Sequence, residues 1–260
     1  MAVMLTVPAI VSGLGVTANA QVAPANPIDA LKRQLVENRG VKMSKVLTDV
    51  MGGEKVNIWT EGVAEFGKGK IQSTDMTYRS DFKYFAGPVR QITFEGRKYA
   101  QEGAASKGKS WFLYEDKKTR PVLDVDWIKL ADPVMLKAVL ATTRVKRPAG
   151  IYDGTHTMLY QGTITLGRLY SASPGFPFGL EEKPTGNEAE AKISWRLWFG
   201  EDQLVRRAWG SWGEPYSKSG DVRHAYVVDA RLTGWGARTD ITPPPADAVA
   251  TPDGTARGQE

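Results

Sequence analysis

Only two histidines, His156 and His224, occur in this chain of 260 residues, and it has no cysteine. Without cysteine there can be no disulfide, no thiolate metal site and no sulfur nucleophile. Both histidines fall in strand-like sequence, away from any helical metal-ligand spacing and from any serine and aspartate arrangement of triad type, and read as strand histidines satisfied by neighbours. No G-x-S-x-G elbow, H-E-x-x-H pair or phosphate-binding loop is present. Asp124 and Asp126 are two apart, so in a strand they share a face. Paired carboxylates can bind a cation or do acid–base work, and the plainer reading is two solvated acids near a strand end. Gly62, Gly67 and Gly69 have no helix opening behind them and read as turn residues. The clusters Lys107/Lys109, Lys117/Lys118/Arg120 and Arg144/Lys146/Arg147 lie near Trp111, Phe112, Tyr114 and Trp127. That mixture suits single-stranded nucleic acid, lipid headgroups or simple loop solvation. A net charge of +5 is too small for a dedicated nucleic-acid binder. The expectation is a non-enzymatic protein with no catalytic residue, no metal and no cofactor.

Large side chains are the stronger signal: eight Trp, nine Tyr and eight Phe give enough apolar volume for one sizeable domain. Residues 1–20 carry no charge and end in Ala18-Asn19-Ala20, which reads as an export signal lacking its basic start. Pro8, Gly13 and Gly15 argue against a spanning helix. Residues 21–25 form a linker, 26–245 a single domain, and 246–260, rich in Pro, Ala, Asp and Gly, a disordered tail. Asn26 caps and Pro27 opens a first helix with Ile28, Leu31 and Leu35 on one face, and Gly40 ends it.

Period-two runs predict strands at Val41–Val50, Val56–Phe66, Ile71–Ser80, Val89–Phe94, Arg97–Gln101 and Ser110–Tyr114. Short turns such as Glu95-Gly96 make neighbours antiparallel. A second, very apolar helix is expected over Ala131–Arg144, capped by Asp132, with Arg144, Lys146 and Arg147 near its C-terminal end. Thr155–Thr165 reads as a strand, Leu169–Gly186 as a Pro/Gly/aromatic loop with at most a turn or two of helix, and Ile193–Phe199, Leu204–Trp212 and Val222–Thr233 as hairpin-linked strands. Such a sheet and helix supply inward-facing Trp59, Met76, Ile92, Trp195 and Leu197, with Met135, Leu136 and Val139 from the helix. These eight are the candidates to line an apolar cavity for acyl chains; a simply filled core is the competing reading.

Five segments carry a resemblance: Asn26–Lys32, Asp132–Leu140, Tyr160–Ile164, Trp195–Arg207, and Leu232–Gly236 leading to Ile241-Thr242-Pro243-Pro244. Together they resemble actinobacterial cell-envelope lipoproteins of the LolA-like, LppX/LprAFG type, over most of residues 26–245. The resemblance implies an α+β fold, a strongly curved antiparallel sheet or half-barrel with helices on its concave face. It implies a cavity that carries lipid or lipidated molecules, an exported monomer, and a membrane surface as a further partner. The lipobox cysteine common in such proteins is missing, so no lipid anchor through cysteine is expected. A sensing or protein-interaction module on the same half-barrel is the alternative.

Overall fold

The computed structural model describes residues 26–51, 53–85, 87–101, 110–125, 127–174, 183–213 and 224–250. The expected export signal and linker, Lys107 and Lys109, Asp126, and residues 251–260 lie outside them. Helix α1 (Pro27–Gln34) starts as the sequence predicts: the Asn26 side-chain oxygen accepts from the backbone N–H groups of Ile28 and Asp29, both at 3.0 Å. It stops before Gly40, which lies inside the first strand.

Six strands follow in meander order: β1 (Arg39–Met51), β2 (Glu54–Phe66), β3 (Ile71–Ser80), β4 (Val89–Phe94), β5 (Arg97–Gln101) and β6 (Trp111–Glu115). A short hairpin, β7 (Asp124–Val125) and β8 (Ile128–Lys129), leads into helix α2 (Pro133–Leu140). Strands β9 (Thr143–Tyr152) and β10 (Thr155–Thr165), helices α3 (Leu166–Ala172) and α4 (Gly186–Ala189), and strands β11 (Lys192–Phe199), β12 (Val205–Gly213) and β13 (His224–Arg238) complete the domain. A 3-10 turn (Ala246–Ala248) and β14 (Val249–Ala250) end the described chain.

The result is one twelve-stranded sheet in the order β14-β6-β5-β4-β3-β2-β1-β13-β12-β11-β10-β9, with few helices. Every pairing is antiparallel except β14 on β6 at one edge. The last long strand returns to pair with the first along nearly its full length, from Arg39 with Arg238 to Met51 with His224. That contact joins the two halves of the sheet.

Three expectations need correction. Helix α2 ends at Leu140, and Arg144, Lys146 and Arg147 belong to strand β9. The β-branched pair Thr142-Thr143 favours leaving the helix, and the two hydroxyls donate to the carbonyls of Val139 and Leu140 at 2.7 and 2.6 Å. As an edge strand, β9 accommodates both Pro148 and its exposed cations. Residues 246–250 are ordered, because Ala248 and Val249 pack beside a small cluster of Ile92, Tyr99 and Trp111. Gly62 sits in mid-strand, where a Cβ would come within 2.0 Å of the Asp75 carbonyl oxygen and 2.8 Å of the Met76 sulfur.

The main core unites Leu31 of α1 and Leu35 at its C-cap, Met135, Leu136 and Val139 of α2, Leu166 and Leu169 of α3, and one face of the sheet. Helix α2 touches α1, α3, β8 and β10, and β7 lies against β12 and β13. Among the described residues no helix is long and apolar enough to cross a membrane.

Candidate functional site

Cross-strand register fixes which side chains share the core face, since directly paired residues point the same way. One row runs Tyr78, Thr60, Lys45, Ala230, Ala208, Leu197, Tyr160. The next row toward the β1–β2 turn contains Ser80, Ile58, Leu47, Val228 and Gly210, and beyond it come Val56, Asp49, Tyr226 and Trp212. A lysine thus stands in the middle of the face that the helices and the β7–β8 hairpin share.

Lys45 Nζ donates to Asp124 Oδ1 at 2.7 Å, and the two side chains are only 10% and 4% exposed. Asp124 is therefore not a solvated acid at a strand end. The β7–β8 hairpin carries it over the sheet, with Val125 packed above Gly210 at 3.3 Å from where a Cβ would stand. Burying both charges is costly unless they pair, which explains why an acid on a short hairpin meets a lysine 79 positions earlier. Asp124 Oδ2 is buried and accepts no hydrogen bond among the described residues. Tyr78 lies close enough to feel this carboxylate: burial first, and the Asp124 charge second, push its phenol up to about 12.

Beside this pair runs an aromatic array. Trp127 meets Trp212 edge-on with ring centres 5.2 Å apart, Trp212 stacks on Tyr226 at 5.0 Å, and Tyr226 stacks on His224 at 5.9 Å. His224 Nδ1 lies 3.3 Å from both Asp49 Oδ1 and the Tyr226 hydroxyl. His156 is exposed on β10, and the two histidines do not meet. No group of three metal-ligating side chains occurs among the described residues.

Of the eight cavity candidates, Met76, Met135, Leu136, Val139, Trp195 and Leu197 join the main core. The last five are each at most 1% exposed, so protein atoms cover them on every side. Trp195 is fixed by a 3.0 Å hydrogen bond from its indole nitrogen to the Thr142 hydroxyl and by its ring lying across Gly162, where a Cβ would stand 2.6 Å from it. Trp59 and Ile92 point to the opposite face. Trp59 pairs with Val46 and Arg79 and is 37% exposed, while Ile92 belongs to the small cluster under the C-terminal segment. The phase of β2 is set by Val56, Ile58, Thr60 and Ala64 turning inward.

The core face is covered unevenly. Helices α2 and α3 pack over the β8 and β10 side. On β2–β6, Val56, Ile58, Tyr78, Val89 and Phe112 are only partly buried. The opposite face has a separate open pocket of about 300 Å³ lined by Lys42, Val63, Asp75, Arg238, Asp240 and Ile241 among others. Its mixed charges do not suit an acyl chain. The backbone N–H of Ile241 is tied there to the buried Glu65 carboxylate at 2.9 Å.

Fold and site together define a protein built on one large, mainly antiparallel sheet, with the buried Lys45–Asp124 pair set into its largely apolar face. No family model matches the chain, and neither does any curated protein. Among solved structures it is similar to LprF from Mycobacterium bovis, with 14% identity over 84% of this chain and 95% of that one and a TM-score of 0.46. It is also similar to a DUF1329 family protein from Desulfovibrio piger (11% identity, 80% and 93% covered, TM-score 0.28). A third likeness is to the MucA/MucB complex of Pseudomonas aeruginosa (9% identity, 79% and 92% covered, TM-score 0.23).

Proposed function

We propose that this chain binds an amphiphile, a lipid or lipidated molecule, and carries it in the cell envelope as a non-enzymatic monomer. The acyl chain lies on the core face of β1–β4 and β6, along Leu47, Val56, Ile58, Tyr78, Val89 and Phe112. One observation carries the reading: along this apolar stretch Val56, Ile58, Val89 and Phe112 are only partly buried, and at its inner boundary stands a buried ion pair with hydrogen-bonding capacity to spare. Acyl burial supplies about 0.8 kcal/mol per CH₂. Lys45 has ammonium protons beyond the one given to Asp124, and Asp124 Oδ2 has a free lone pair, so a headgroup with both a donor and an acceptor satisfies each. Met76 borders the stretch, and Met135, Leu136, Val139, Trp195 and Leu197 form the rigid wall behind it. On this reading the sheet curls as a half-barrel around ligand and helices.

A peptide-binding module is the weaker reading. Peptide addition needs an open strand edge, and β9 carries Pro148 and three exposed cations along its edge.

Native mass spectrometry with solvent extraction tests the proposal on protein purified without detergent. The expected result is a bound acyl species released on denaturation, and uptake of a fluorescent fatty acid that falls at least tenfold on Ile58→Asp. A ligand-free mass together with no uptake of the fatty acid refutes it.

A further inference from the structure

Eight large apolar side chains are exposed among the described residues, and four of them lie toward one end of the sheet: Met51 (44%), Trp59 (37%), Phe82 (44%) and Tyr84 (75%). Met51 ends β1 at the β1–β2 turn, Trp59 lies one register step from the end of β3 and five from that turn, and Phe82 and Tyr84 project from the β3–β4 connection itself. This is also the end at which the partly covered core face opens, next to Val56 and Ile58.

The β3–β4 turn is braced so that its aromatic residues stay outside. The Asp81 carboxylate accepts from the Asn57 backbone N–H at 2.7 Å and from its side-chain amide at 2.8 Å. These hydrogen bonds, the backbone one first, hold the Asp81 carboxyl below the usual carboxylate range. The Ser80 hydroxyl donates to the Asn57 carbonyl at 3.0 Å and accepts from the Phe82 N–H at 3.1 Å, and the Phe85 N–H closes on the Phe82 carbonyl at 2.8 Å. Phe82 and Tyr84 meet edge-on with ring centres 5.4 Å apart, and the Lys83 ammonium stands 4.9 Å from the Tyr84 ring centre. Exposing two aromatic rings costs solvation free energy, and fixing them outward on a hydrogen-bonded turn removes the usual escape of folding them back.

We infer that this end of the sheet docks on a lipid bilayer, with Phe82 and Tyr84 entering the interfacial layer and Met51 and Trp59 resting at its edge. The patch is made of side chains exposed on a turn and on neighbouring strands, which suits a fluid phase that closes around them. Its composition is that of an interfacial anchor: amphipathic aromatic rings ringed by the cations Lys55, Arg79 and Lys83, whose stems reach along apolar surface while their charges meet phosphates. Docking there would bring the open end of the core face to the membrane surface. The inference does not depend on ligand binding, since docking is measured with vesicles and ligand uptake with free fatty acid in solution.

The absence of cysteine makes the test direct, because any introduced cysteine is the only one. Full-length Lys83→Cys and Ile151→Cys chains are labelled with a polarity-sensitive fluorophore and mixed with vesicles of equal parts phosphatidylglycerol and phosphatidylcholine. Ile151 is 61% exposed on the far edge strand and serves as the control. The expected result is a blue-shifted signal at position 83, quenched by spin-labelled lipid, and no change at 151. Because the label reports position, vesicle binding through the apolar residues 1–20 does not imitate that result. The unlabelled Phe82→Ser/Tyr84→Ser chain, checked for an unchanged melting curve, partitions about tenfold more weakly or worse. Equal responses at both positions, silence at both, or wild-type partitioning by the double variant overturns the inference.

Discussion

Replacing Lys45 by methionine isolates the energetics of the buried pair. Methionine matches the lysine stem in volume and removes only the charge, leaving Asp124, at 4% side-chain exposure, without its counter-ion. Removing one partner of a buried pair costs about 3–5 kcal/mol, whereas replacing both by apolar groups is neutral or stabilising by about 1–4 kcal/mol. For a domain of this size each kcal/mol shifts the melting temperature by roughly 2–4 °C, so Lys45→Met should melt on the order of 10 °C lower. Asp124→Leu alone should fall by a similar amount, and Lys45→Met/Asp124→Leu should recover most or all of the loss. Urea and thermal unfolding of the four proteins gives the coupling energy directly. Single variants within about 1 kcal/mol of wild type would refute the burial argument. The double variant also separates stability from binding: folded and ion-pair-free, it should take up fatty acid about tenfold more weakly if the pair anchors the headgroup.

Tyr78 gives an alkaline signature. Its folded value of about 12 lies above the ordinary tyrosine value of 10.0, so stability is intact below pH 10 and is lost as pH rises from 10 toward 12, by at most about 2–3 kcal/mol. Tyr78→Phe should flatten that part of the pH profile, and a phenolate absorbance titration should lose its latest-titrating component. Gly162→Ala places a methyl 2.3 Å from the Thr142 carbonyl oxygen and against the Trp195 ring, so it should cost about 1–3 kcal/mol in urea unfolding. Glu65→Ala releases the N–H of Ile241, and limited proteolysis should then cut the segment after residue 240 sooner than in wild type while the sheet remains resistant.

Much of the chain could be read from local pattern because its elements obey local rules. Asn26 and Asp132 cap helices with the side-chain hydrogen bonds their residue types prescribe, and β3, β4, β5 and β10 begin and end where the alternation and turns place them. Strand β9 escaped because Arg144, Lys146 and Arg147 on an exposed edge have no apolar alternation to reveal. Face alternation alone places Trp59 and Ile92 inward, yet the face each occupies is set by its cross-strand partners. Lys45 was missed although Val41, Met43 and Leu47 put its position on the core phase of β1, since a lysine there is read as an interruption until its counter-ion is known.

The sequence by itself determined the residue types, the helix caps, most strands and the absence of thiol chemistry, all of which depend on neighbours a few positions apart. Tertiary structure alone decided that β13 returns to β1, that the β7–β8 hairpin brings Asp124 onto Lys45, and that Met51, Trp59, Phe82 and Tyr84 lie toward one end. Those outcomes join residues far apart in the chain. Register and burial select them by matching charge to charge and apolar face to apolar face, and local propensity carries no record of that choice.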